Sequence, residues 1–181
     1  MSEIKNIIVH CSASDFGSAA IINQWHRERG WGTNNPYAGA ISIGYHFVVL
    51  NGFPTSDHFN RNERLMFLTG SVEVGRPINT DLVLALGERG AHALGYNNNS
   101  LGVCLILDHK KYCPKQQIVS AKWMLRELLA KLKLKATAVI GHYEVDPSKS
   151  CPNLDMRILR SYVADEINAE DAYSNEKFFT K

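Results

Sequence analysis

The sequence predicts a single α/β domain in which a central mixed β-sheet is flanked by helices. Three observations predict it. Periodic segments follow one another as strand, helix, strands, helix, strand, helix, the order a layered α/β packing produces. The run at 101–107 is apolar on both faces, as a strand covered from both sides must be. The chain has 181 residues, 45% of them hydrophobic and 21% charged, enough for one globular unit with a full core.

Each element has its own signal. Residues 7–12 (Ile-Ile-Val-His-Cys-Ser) form a β-branched run ending in polar side chains, a short buried strand. A helix is expected over 18–29: Ser18 caps it, Ile21, Ile22 and Trp25 share a face, and Gly30 stops it. Residues 30–40, rich in Gly, Asn and Pro, read as loop. Residues 43–50 form the second strand, which pairs with a strand at 71–75. The stretch 53–70 between them is polar, with one apolar cluster at Leu65, Met66, Phe67 and Leu68, and reads as an insertion in a hairpin with its own short helix. Residues 80–87 are expected as a short helix or turn. Residues 114–134 carry the clearest helical spacing, with Ile118, Val119, Leu125, Leu128, Leu129 and Leu132 in register, Pro114 at the start and lysines at the end. A buried strand at 136–140 and an amphipathic helix at 154–167 complete the domain. Residues 1–167 are therefore assigned to the folded domain and 168–181 to a polar, loosely held C-terminal tail.

A net charge of +2 gives no argument for a nucleic-acid partner. No stretch nears the roughly 20 apolar residues that span a bilayer, so no membrane partner is expected. The first ten residues lack the apolar run of a signal peptide, which points to the cytoplasm. In that reducing setting Cys11, Cys104, Cys113 and Cys151 are expected as free thiols.

Three side chains suit a metal. His10 ends the first strand, His142 directly follows the strand at 136–140, and Cys151 lies in the loop before Pro152 and the last helix. Sites in open α/β sheets gather beyond strand ends. Two imidazoles and a thiolate suit zinc, and three protein ligands leave a fourth position open, as catalytic sites do. The competing reading is ordinary: hydrogen-bonded histidines near strand ends and a buried thiol. No His-Glu-x-x-His occurs in the chain, so spacing alone does not decide between the two.

Local sequences add to this. Val9-His10-Cys11-Ser12-Ala13, Gly44-Tyr45-His46-Phe47, Gly75-Arg76-Pro77, Gly90-Ala91-His92-Ala93-Leu94-Gly95-Tyr96-Asn97, Asn99-Ser100-Leu101-Gly102-Val103-Cys104-Leu105 and Gly141-His142-Tyr143-Glu144 with Lys149-Ser150-Cys151-Pro152 follow one another in this order. Together they resemble the zinc N-acetylmuramoyl-L-alanine amidases, in particular the small amidase-type lysozymes of T-odd coliphages. Peptidoglycan recognition proteins share that fold. The resemblance runs from about residue 7 to about residue 162. It implies one Zn2+ per chain held by His10, His142 and Cys151, with Tyr45 and Lys149 as catalytic residues and His92 and Asn97 lining the substrate groove. It further implies a phage or prophage lytic enzyme that cleaves the amide between N-acetylmuramic acid and L-alanine of peptidoglycan. Such enzymes accumulate in the host cytoplasm and reach the wall after holin-type release. Two other readings stand beside it: a cytoplasmic anhydro-muropeptide amidase of wall recycling, which usually has Asp as third ligand, and a peptidoglycan-binding module without catalysis, which often lacks the Cys. The coliphage relatives also bind a phage RNA polymerase, and the residues here neither support nor exclude that partner. The chain departs from the phage pattern at 31–41 and 53–70, which look like insertions, and in a longer stretch between His142 and Cys151.

Around that centre, His46 follows Tyr45, and strand alternation turns it to the opposite face, away from the metal. Glu144 reads as structural, with a contact to a ligand imidazole or a general-base role as the other options. Arg76 is expected to meet either a substrate carboxylate or a neighbouring acid.

Overall fold

The computed structural model describes residues 2–31, 41–81, 83–108, 113–174 and 178. The strand signal at 136–140 and the loop at 30–40 fall partly or wholly at its turns and gaps: the loop residues 32–40 lie outside the described set. The chain opens with two short strands, β1 (Ser2–Glu3) and β2 (Asn6–Cys11). Helix α1 (Ala19–Glu28) follows; the Ser18 side chain accepts from the Ile21 amide, and Gly30 leaves the helix at φ +76°. Next come β3 (Phe47–Val49), α2 (Ser56–Asn60), β4 (Val72–Val74), β5 (Val83–Leu84) and β6 (Ser100–Leu105). The second half holds α3 (Lys115–Leu132), β7 (Val139–Gly141), α4 (His142–Val145), α5 (Met156–Val163) and α6 (Ala169–Ser174).

Five strands form the main sheet in the order β4-β3-β6-β2-β7. β3, β6, β2 and β7 run parallel, and β4 pairs antiparallel with β3, so the sheet is mixed. β2 and β6 are central, and every residue of β6 is buried. Alternation along the strands separates two apolar layers. Ile7, Val9, Cys11, Leu101, Val103 and Leu105 face α3 and α5, where Ile118, Leu125, Leu129, Met156, Leu159 and Val163 complete the larger core. Val48, Cys104 and Ile106 face the other way, onto Ile22 of α1 and Ile43. His10 shares that second parity and opens onto the α1 side of the sheet.

Several expectations are corrected. Residues 80–87, expected as a short helix or turn, hold turns at 80–81 and 86–87 with a short strand between: Val83–Leu84 pair antiparallel with Ser2–Glu3, and Leu84 is buried in the larger core. The regular strand at 43–50 shrinks to Phe47–Val49, and 41–46 is irregular backbone. The strand at 136–140 begins only at Val139, after a 3-10 turn over Ala136–Ala138. Helix α5 is shorter than periodicity suggests. It starts after Asp155, whose side chain accepts from the Arg157 amide, and ends before Asp165, which turns left-handed at φ +61°. Asp165 there receives ion pairs from Lys122 and Arg126 of α3. The stretch after Asn168 is not loose where it is described. Ala172 and Phe178 are fully buried in the larger core, the Asp155 amide donates to the Phe178 carbonyl, and the Tyr173 hydroxyl donates to the Cys113 carbonyl at 2.6 Å.

Candidate metal centre and cleft

Three segments far apart in sequence converge on the α1 side of the sheet. β2 delivers His10, the end of β7 delivers His142, and the following loop returns Cys151, whose carbonyl accepts from the Tyr143 amide at 2.9 Å. One donor atom from each of His10, His142 and Cys151 lies within 4.8 Å of the others. The His10 and His142 rings are 4.5 Å apart between centroids. The Cys11 amide donates to Cys151 Sγ at 3.0 Å and fixes the sulfur beside the end of β2.

The electrostatics suit a cation. Burial, reinforced by the neighbouring His92 and His142, holds His10 well below its ordinary pKa. Burial also lowers His142. Both imidazoles are therefore neutral at pH 7 and offer lone pairs. The hydrogen bond with the Cys11 thiol and burial push the Cys151 thiol well up, so its ionisation needs a positive charge beside it. Two neutral nitrogens and a sulfur within one ion's reach form a donor set that fits zinc.

The surroundings are mostly histidine and aromatic. The Tyr45 ring lies 5.0 Å from His10, and burial keeps its phenol protonated by raising its pKa well above 10. His26 of α1 stacks 5.4 Å from Tyr45 and 4.3 Å from Trp31, and its Nδ1 accepts from the Gly44 amide. Among the described residues, Arg76 pairs with no acid. It is buried, and its guanidinium donates to the carbonyls of Ile41, Ile43 and Gly87, clamping the irregular segment that carries Tyr45. Glu144 accepts from the Gly141 amide and pairs with Arg160, so it braces the His142 turn from outside.

His46 stays outside the metal group, but not for the reason alternation gave. Because 41–46 is not regular strand, strict alternation does not apply. The His46 ring sits 5.7 Å from that of His92, behind the centre. Its Nδ1 accepts from the Gly102 amide at 2.8 Å, and its Nε2 donates to the Glu88 carbonyl at 2.9 Å. Burial lowers it to about 4.

Beside the centre lies a cleft of about 470 Å³ lined by Trp31, Ala91, His92, Ala93, Leu94, Asn97, His142, Asp146 and Lys149. His92 is only 7% exposed, and its Nδ1 lies 3.0 Å from His10 Nε2. Asn97 Oδ1 accepts from the His92 and Ala93 amides, so this atom holds the loop as a turn does. Lys149 is exposed at the cleft and closes a tight turn with Asp146, whose carbonyl accepts from its amide. Sequence reasoning missed His26, Trp31, Leu94 and the His10–His92 contact. A histidine inside an amphipathic helix carries no local signal of the ring it will meet.

Residues 1–154 match the N-acetylmuramoyl-L-alanine amidase family. The chain belongs to that family. Among curated relatives, the endolysin of Klebsiella phage KP32 is 34% identical over 164 residues, covering 86% of this chain and 84% of the relative. The endolysin of Escherichia phage T7 is 33% identical over 158 residues, with coverages of 83% and 82%. Among solved structures, the amidase LysC from Clostridium intestinale shares the fold at TM-score 0.65 and 21% identity, over 92% of this chain and 88% of that one. Drosophila PGRP-LB does so at TM-score 0.55 and 23% identity, over 84% and 76%. The amidase is thus an enzyme, and peptidoglycan is its substrate. Among the described residues of the amidase, no helix is long and apolar enough to cross a membrane.

Proposed function

We propose that the amidase hydrolyses the bond between N-acetylmuramic acid and L-alanine with a zinc ion held by His10, His142 and Cys151. The convergence of these three donors within 4.8 Å carries the reading. Zinc bound there supplies Lewis acidity at the scissile carbonyl and lowers the pKa of a water to about 7. The chain does the rest. Tyr45, a protonated phenol beside His10, orients the attacking water and donates a hydrogen bond. Lys149 at the cleft brings an ammonium to the oxyanion. Trp31, Ala91 and Leu94 give the cleft apolar walls, and His92 and Asn97 complete its lining, a mixture suited to an amphipathic muramyl peptide.

The biological setting we assign is phage lysis, supported by the phage endolysin relatives. The protein accumulates in the host cytoplasm and meets the wall after holin-type release. Cys151→Ala tests the reading. Zinc stoichiometry falls from one per chain to none, and lysis of intact sacculi is lost with it. A variant that kept both would overturn the assignment. Wild-type activity confined to soluble anhydro-muropeptide would favour a wall-recycling role instead.

A further inference from the structure

We propose that His92 is a positioning residue for the metal centre, its imidazole fixing the tautomer and ring angle of His10 through the contact between His92 Nδ1 and His10 Nε2. The proposal rests on the zinc reading above. The two nitrogens are 3.0 Å apart, so His10 Nε2 is taken and Nδ1 is the nitrogen left to a metal. A neutral imidazole carries one proton. If Nδ1 of His10 faces a cation, its proton lies on Nε2 and His92 Nδ1 must accept it. His92 must then carry its own proton on Nε2. That nitrogen is buried, and Ser100 offers the His92 ring a backbone hydrogen bond.

The socket around the ring is built for it. A Cβ at Gly90 would come within 2.4 Å of the His92 ring, and one at Gly102 within 2.7 Å, so only glycine at both positions lets the imidazole lie flat between them. The His46 ring meets it edge-on at 5.7 Å, and Asn97 Oδ1 holds the His92 backbone amide. With its Nδ1 facing His10 and only 7% of the residue exposed, the side chain is turned toward the ligand more than toward the cleft. Partners that orient a metal-bound imidazole set ligand basicity and typically change metal affinity by about 10–100-fold when removed.

The test compares zinc affinity, by competition with a chromophoric chelator, and the visible spectrum of the Co2+-substituted protein. Leucine at 92 removes the acceptor, and Asn restores an acceptor near the Nδ1 position. We expect His92→Leu to bind zinc about 10–100-fold more weakly with a shifted Co2+ spectrum, and His92→Asn to stay within about threefold of wild type. If His92→Leu does not fold, the comparison moves to His92→Gln, whose amide lies near Nε2 rather than Nδ1. Gln should then lose affinity where Asn keeps it. Wild-type affinity and spectrum in His92→Leu, or in both polar variants, with only KM raised, would make His92 a substrate contact and overturn the proposal. Wild-type protein that binds no zinc would instead overturn the zinc reading itself.

Discussion

Tyr45 and Lys149 approach the same centre from opposite conditions. Tyr45 is buried, 5.0 Å from the His10 ring, with its phenol kept protonated. Lys149 is exposed at the cleft. Their losses should therefore differ in side effects. Tyr45→Phe keeps the ring and zinc content, and its kcat on a defined muramyl peptide drops about 10²–10³-fold. On the proposed role, Lys149→Ala costs a similar factor of about 10²–10³ in kcat with unchanged melting temperature, because the side chain is exposed and its loss removes charge without packing. Zinc analysis, kcat and thermal melts on both variants check this. A Tyr45→Phe enzyme with full kcat would remove the phenol from the chemistry.

Helices α3 and α6 show how the scaffold is locked behind the site. Gln117 of α3 is buried, and its Nε2 donates to the Val49 and Ile106 carbonyls at 2.8 and 3.0 Å, tying the helix to the ends of β3 and β6. No apolar pattern marks a polar side chain that satisfies two strand-end carbonyls, so the burial of Gln117 has no signal in the hydrophobic periodicity. The segment beyond α5 shows the same effect. Its composition is polar, yet Phe178 is fully buried in the core. Phe178→Ala should destabilise the fold by about 3–5 kcal/mol, read from urea unfolding. A change below about 1 kcal/mol would mean that the segment is dispensable to the core.

The molecule as a whole keeps several histidines neutral under its sheet. His26 and His46 are each lowered to about 4, burial being the first cause in both. The unfolded chain titrates them near 6.5. Between pH 6.5 and about 4 it takes up protons that the folded chain refuses. Their stabilising contribution is thus complete above pH 6.5 and is lost as pH falls through that window. For His46 alone the loss is on the order of 3 kcal/mol. Urea unfolding of metal-free protein at pH 7, 6, 5 and 4.5 should show stability declining steadily. A flat profile would mean that these rings ionise in the folded state.

Much of this was written in local chemistry. β2, α1, β6 and α3 were legible because β-branched runs, a Ser cap, a two-sided apolar run and 3.6-residue spacing act over neighbouring residues. Ordered motifs likewise pointed to His10, His142 and Cys151, which the folded chain brings within 4.8 Å. What tertiary packing alone decided were the features with no local signal: the pairing of Val83–Leu84 with Ser2–Glu3, the burial of Arg76 against three carbonyls, the docking of Phe178, and the seat of His92 against His10 between two glycines. Each depends on partners distant in sequence, and a polar side chain takes its role from whichever unsatisfied group the fold brings to it.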